Sequence, residues 1–217
     1  MNIAVGVPAI DRPGLTVADT VTNVRRGGFN GFLLLACEPG TNIPAGLKNV
    51  EVVQHAKKLG HIDNADFVYS WLLKNTAADY IMAVENDTRF CQTARPCLEK
   101  LCENEEPFSY ASLFTPACCE LSLDKIGWRD YRPGEANCTA QALFFRRSSL
   151  QMMRSFPEWT AWDGTIGKIG KNMGLPCWYH VPSLSEHISD FSIRTGEMRT
   201  DFKAKGYKDN IYKFKLG

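Results

Sequence analysis

Several signatures are missing from this chain, and each absence narrows its reading. Charge of one sign is not in excess, since 25 Lys and Arg face 24 Asp and Glu for a formal net charge of +1. With a pI near 7.5, no global field draws the protein to nucleic acid or anionic lipid, and any basic function is local. No segment reaches the ~20 apolar residues needed to cross a bilayer. The first residues, Met1-Asn2-Ile3-Ala4-Val5-Gly6-Val7-Pro8, lack the charged n-region and long apolar h-region of a signal peptide and are expected to form a strand. Paired C-x-x-C spacing is also missing from the eight cysteines. Cys91, Cys97 and Cys102 are too widely spaced for a zinc knuckle, and Cys118 and Cys119 are adjacent. The chain is far longer than the small domains that need disulfide staples, so free or buried thiols and a soluble, reducing compartment are expected. There is no internal repeat.

What is present is a core. At 217 residues, 44% hydrophobic and 11% aromatic, the chain can bury one substantial interior and is read as one domain. Ile3 to Val7 is a short apolar run ending in the turn-rich Pro8-Ala9-Ile10-Asp11-Arg12-Pro13-Gly14. A helix is predicted from Thr16, with Val17, Val21 and Val24 on one face and Arg25-Arg26-Gly27-Gly28 at its end. Phe32 to Ala36 reads as a strand covered on both faces, stopping at Cys37-Glu38-Pro39-Gly40, and Val50 to Val53 as a third strand. Ala65, Val68, Tyr69, Leu72 and Leu73 then repeat at helical spacing. Tyr80 to Val84 is a fourth strand, and the alternation argues for a layered α/β sheet with its loops gathered at one edge.

The second half is less regular. Phe108 to Phe114 and Ala140 to Phe145 read as strands, while Leu121 to Asn137 shows no clear period. Ile166, Ile169, Gly170 and Met173 predict a helix from Thr160 closed by Gly174, before a strand at Cys177-Trp178-Tyr179. From Arg194 on, Arg199, Lys203, Lys205, Lys208, Lys213 and Lys215 read as a loosely packed, solvated tail.

The most informative feature is Glu85-Asn86-Asp87, which follows the fourth strand without a spacer. Carboxylates at the carboxyl end of a strand sit where open α/β sheets collect ligands and metal ions. A nucleotide diphosphate facing two carboxylates needs an intervening cation, and hard oxygen donors suit Mg²⁺ or Mn²⁺. Asp87 is the expected metal ligand. The plainer alternative is that Glu85 and Asp87 solvate a strand end or cap the next helix.

Several segments resemble, in order, glycosyltransferases of the GT-A fold: Val5 to Arg12, Gly60-His61-Ile62-Asp63-Asn64, Ala83 to Asp87, Ala140 to Phe145, Trp162-Asp163 and Pro182 to Ile188. The resemblance runs from about residue 3 to 192. It implies a single-domain, Rossmann-like nucleotide-diphospho-sugar transferase fold with a central mixed, mostly parallel sheet flanked by helices. It divides the chain into a nucleotide-binding half to about residue 105, an acceptor and metal half to about 192, and the tail. The E-N-D triplet then resembles the D-x-D motif, whose last acid holds Mn²⁺ or Mg²⁺ on the donor diphosphate. Glu replaces the first Asp, so Glu85 is assigned to the donor's ribose or sugar, and Asn86 is placed among the donor-binding residues. By the same resemblance His187, within Pro182-Ser183-Leu184-Ser185-Glu186-His187-Ile188, completes the metal site. The alternative is a half-buried histidine making an ordinary hydrogen bond.

The resemblance implies further that Asp163 is the general base of an inverting sugar transfer, taking the proton of an acceptor hydroxyl. Thr160-Ala161-Trp162-Asp163 also reads as a capping box. Trp162 and Trp128 are weighed as sugar platforms or as core. Pro8, Ala9 and Arg12 are expected to receive nucleobase and phosphate, Glu38 the base or ribose, and Asp63 and Asn64 to start a helix whose amino terminus favours an anion. The partners expected are a nucleotide-sugar donor, UDP-sugar before GDP-sugar, and a glycan or other hydroxyl acceptor, with no nucleic acid and no membrane span. The setting expected is cytoplasmic, the host's if the source is viral, since small stand-alone members of this kind are similar. Two other readings stay open. A sugar nucleotidyltransferase is disfavoured because the loop Pro8 to Gly14 lacks a glycine-rich basic phosphate cradle. A non-catalytic nucleotide-sugar or glycan-binding module is the other.

Overall fold

Alternation along the first strand sets the layering. In the computed structural model, which describes residues 1–12, 14–103, 106–116, 124–131, 141–188 and 207 and the backbone of 191–192 and 197–198, β1 spans Ile3–Ala9. Ile3, Val5 and Val7 pack into one core and Ala4 into another on the opposite face, as the two-residue period of a strand requires. The following helix α1 (Val17–Arg26) opens with a reciprocal capping box. The Thr16 hydroxyl accepts from the Asp19 N–H at 3.2 Å, and the Asp19 carboxylate accepts from the Thr16 N–H at 2.9 Å.

β2 (Leu33–Cys37) is buried at every position. It starts one residue later than the apolar run predicts, because Phe32 is outside, stacked on Trp71. β3 (Val50–Gln54) is only half-buried, as befits a sheet edge. α2 (His61–Asn75) lays Ala65, Val68, Tyr69 and Leu72 against the sheet, with Leu73 only half-buried, and β4 (Tyr80–Val84) follows as expected. β5 (Thr88–Phe90), α3 (Ala94–Glu103), β6 (Tyr110–Ser112), β7 (Gly127–Asp130), β8 (Ala142–Arg146), α4 (Arg147–Arg154), α5 (Asp163–Asn172), β9 (Cys177–Val181), β10 (Ser185–His187), β11 (Phe191–Ser192) and β12 (Glu197–Met198) complete the described chain.

Eight strands form one sheet in the order β3-β2-β1-β4-β8-β6-β9-β7. β7 and β8 run antiparallel to their neighbours and all other pairings are parallel, so the sheet is mixed and mostly parallel. α1 and α3 cover one face, where Val24 and Leu98 meet Val5, Leu35 and Phe144. α2, α4 and α5 cover the other, where Val68, Leu150 and Ile166 meet Leu34, Ile81 and Phe145. Two short ribbons lie apart from the sheet, β5 with β10 and β11 with β12. Among the described residues, Cys37, Cys91, Cys97, Cys102 and Cys177 form no disulfide. Cys118, Cys119 and Ala140, and the tail residues Arg194, Arg199, Lys203, Lys205, Lys208, Lys213 and Lys215, lie outside the described residues.

The capping box predicted for α5 does not form. Trp162, in extended conformation, is the N-cap residue, and Asp163 occupies the first helical position, where its Oδ1 accepts from the Gly164 N–H at 3.0 Å. The Thr160 hydroxyl instead meets that of Thr165 at 3.0 Å, because helical geometry begins two residues later than the T-x-x-D spacing implies.

Candidate metal centre and donor cleft

β4 ends at Val84, and the next three residues turn back on themselves. The Glu85 N–H donates to the Gln141 carbonyl at 2.8 Å, and the Thr88 N–H returns to the Glu85 carbonyl at 3.1 Å. This turn delivers the chain into β5, which pairs antiparallel with β10 so that Thr88 lies opposite His187. The Ile188 N–H closes the ribbon on the Asp87 carbonyl at 2.9 Å, and Arg89 pairs with Glu186 across it. His187 therefore reaches Asp87 by backbone register, with Phe114 packed edge-on against the imidazole.

Glu85, Asp87 and His187 each bring a donor atom within 4.8 Å of the others. Asp87 is 1% exposed, and its Oδ2 meets the Arg12 guanidinium at 2.7 Å and His187 Nδ1 at 3.2 Å. Its Oδ1 is sealed from solvent with no hydrogen-bond partner among the described residues. A buried orphan carboxylate oxygen beside an imidazole and a second carboxylate fits a divalent cation, since it supplies the partner that the oxygen lacks. Burial opposes charge on Asp87, but the His187 hydrogen bond and the nearby His187 and Arg12 charges outweigh it and hold the carboxyl below its ordinary range. Burial likewise opposes charge on His187, and the bond to Asp87 with the Glu85 carboxylate at 3.9 Å raises its pKa above the ordinary value.

The structure sorts the residues singled out in the sequence. Pro8 and Glu85 line a small cleft with His61, Ala65, Tyr69, Ala83, Val84 and Ala161, so the ends of β1 and β4, the start of α2 and the loop before α5 share one opening. Asp163 is two residues beyond Ala161. Burial raises the pKa of the Tyr69 phenol, and Glu85 and Asp163 both add to the rise, so the two carboxylates act on one cleft residue. Arg12 sits on the metal-site acid, with its Nε donating to Asn86 Oδ1 at 3.0 Å.

Three other residues serve as internal ties. The Asn86 amide donates to the Ile10 carbonyl, and its own carbonyl accepts the Thr20 hydroxyl at 2.8 Å. Glu38 turns inward and accepts from the N–H groups of Leu59 and Gly60, both at 2.9 Å. Asn64 donates to the Ala36 carbonyl and meets His55, each at 3.0 Å. Ala9 is buried in the core. Asp63 is exposed on the first turn of α2.

The two tryptophans separate cleanly. Trp162 is 45% exposed with its ring laid over Gly164, where a Cβ would come within 2.9 Å of it. Trp128 donates its indole N–H to the Cys97 carbonyl at 2.9 Å and packs on His180, which makes it a structural residue. His61 is the site neighbour that sequence reasoning left without a role. It lies 3.5 Å from Glu85 at the start of α2, and its only signal was membership of the Gly60 to Asn64 segment.

No protein-family model matches this chain, and no curated protein does. Solved structures match its shape. The 2-C-methyl-D-erythritol 4-phosphate cytidylyltransferase of Thermus thermophilus has a TM-score of 0.54 at 16% identity, over 87% of this chain and 93% of that one. A Bacillus anthracis protein assigned as a glucose-1-phosphate thymidylyltransferase gives 0.55 at 8% identity, over 85% and 89%. TarS from S. aureus, solved with UDP-GlcNAc, gives 0.54 at 9% identity, over 82% of this chain but 56% of TarS. These likenesses establish architecture: the chain has the GT-A, Rossmann-like fold that nucleotidyltransferases and nucleotide-sugar glycosyltransferases share.

Proposed function

We propose that this protein is a metal-dependent glycosyltransferase that moves a sugar from a nucleoside diphosphate donor, UDP-sugar before GDP-sugar, to a hydroxyl acceptor with inversion. The observation that carries the proposal is the meeting of Glu85, Asp87 and His187 around a buried carboxylate oxygen that has no hydrogen-bond partner among the described residues, with Glu85 lining the cleft. Asp87 and His187 would hold Mn²⁺ or Mg²⁺, with Glu85 facing the donor. Bound there, the cation supplies Lewis-acid stabilisation of the departing diphosphate.

The chain's own residues do the rest. Arg12 offers a guanidinium fork that can pair with phosphate, and Pro8 borders the cleft for the base. Asp163 takes the acceptor proton as the hydroxyl attacks the anomeric carbon, and the amino terminus of α5 stabilises its negative charge. The exposed face of Trp162 beside it suits an acceptor sugar. No described helix is long and apolar enough to cross a membrane.

Nucleotidyl transfer is the second reading, and the cytidylyl- and thymidylyltransferase shape matches favour it. Against it, the loop after β1 offers a single arginine rather than a glycine-rich basic cradle. The two separate on products. With Mn²⁺ and a panel of nucleotide sugars, slow release of nucleoside diphosphate supports glycosyl transfer, whereas pyrophosphate exchange with a sugar phosphate and nucleoside triphosphate supports nucleotidyl transfer. Donor binding with neither product leaves a binding module.

A further inference from the structure

Beside the site lies a carboxamide that neither the proposed metal ligands nor the proposed base uses. Gln141 is 2% exposed, its Nε2 and Oε1 are both sealed from solvent, and neither has a hydrogen-bond partner among the described residues. Burial has removed water from both ends of the amide without a replacement, which is unfavourable in a folded protein.

Register fixes where this amide sits. β4 and β8 pair antiparallel up to Val84 opposite Ala142, and the Glu85 N–H donates to the Gln141 carbonyl, so Gln141 lies directly across from Glu85. Opposed residues of an antiparallel pair project to the same face. Two residues further into each strand, that face carries Ala83 and Leu143, packed with Tyr69 and Ile166. Gln141 is therefore the same-face neighbour of Glu85, which lines the cleft, on the side of the sheet that α5 covers from Asp163 on. The Thr88 hydroxyl donates to its carbonyl at 3.2 Å and pins its backbone to the metal-site turn.

The geometry points to Gln141 as the residue that binds the transferred sugar, its Oε1 accepting from one hydroxyl and its Nε2 donating to another. This rests on the donor reading above and deepens it. A sugar carried between a diphosphate at Asp87 and a base at Asp163 lies over the β4–β8 pair. An amide offers one donor and one acceptor together, which suits adjacent hydroxyls as a carboxylate does not. Binding a sugar there requires the carboxamide to turn towards the Glu85 edge through another staggered side-chain conformer.

Calorimetry in Mn²⁺ compares UDP with UDP-glucose, UDP-galactose and UDP-N-acetylglucosamine, and GDP with GDP-mannose. The proteins are the full chain and Gln141→Met, which keeps side-chain length and removes the amide. The native chain binds one nucleotide sugar at least about tenfold tighter than its nucleoside diphosphate. Gln141→Met loses that increment, binds the nucleoside diphosphate within about twofold of native, and melts about 2–4 °C higher because no amide is left unsatisfied. A variant that keeps the increment, a native chain that shows none, or a variant that melts lower overturns the assignment and leaves the donor reading standing. A native chain that binds no nucleoside diphosphate in Mn²⁺ removes the donor reading and the assignment with it.

Discussion

Asp87 joins more of the site than any other residue, since one oxygen meets Arg12 and His187 while the other has no partner among the described residues. Asp87→Ala is expected to abolish metal-dependent nucleotide binding in calorimetry while the far-ultraviolet spectrum stays native; unchanged affinity would remove Asp87 from the site. A histidine must be neutral to ligate, and the raised pKa of His187 means that binding displaces a proton. Mn²⁺ affinity should therefore climb as pH rises through the His187 pKa, and this slope should flatten in His187→Gln. For Asp163→Asn, donor binding should persist while transfer falls by about 10² or more, the loss expected for a general base. Near-normal turnover would reduce Asp163 to a helix-start residue. The placement of Asp87 just past β4 and of Pro8 near the end of β1 was legible because strand ends announce themselves as apolar runs meeting polar or turn residues. The inward commitments of Glu38 and Asn64 were not, because they answer to backbone groups at Leu59, Gly60 and Ala36 that no local pattern reveals.

Elements with strong periodicity were readable and short ones were not. β1, α1, α2 and β4 follow from apolar runs and caps, whereas β5 and β10, three residues each, are too short to carry a period. α4 begins on the residue after β8, so no turn signal divides them. The contact between α2 and β1 depends on Gly6, where a Cβ would lie 2.4 Å from Val68 Cγ1 and 2.9 Å from Leu72 Cδ1. Both are fully buried core side chains with little room to give. Gly6→Ala should destabilise the protein by about 1–3 kcal/mol in chemical denaturation. It should also weaken nucleotide binding, because α2 presents His61 and Ala65 to the cleft. An unchanged midpoint would mean that helix and sheet separate easily.

For the molecule as a whole, acid sensitivity should be set in part by a buried histidine other than His187. Burial lowers His180 to about 4 from 6.5, with its Nδ1–H donating to the Pro182 carbonyl at 2.7 Å. Between those pH values the unfolded chain holds a proton that the folded chain refuses. Stability from this group is therefore complete above about pH 6.5 and falls as pH drops towards 4, by at most ~3 kcal/mol. His187 acts in the opposite sense: its contribution is present below about pH 6.5 and disappears as pH rises through its higher folded value. Urea denaturation at pH 4.5 and 7 should show a smaller difference in His180→Gln than in the native chain, and parallel losses would dismiss His180.

The short ribbon that seats His187 opposite Thr88 has one more consequence. An ion shared by Asp87 and His187 would act as a removable cross-link present only in the folded chain, closing a circuit of about 100 residues and stabilising the fold by mass action, ~2.7 kcal/mol at 100 times its dissociation constant. Chelation would then loosen β6 to β9 together, and trypsin would cut that span faster in EDTA than in Mn²⁺.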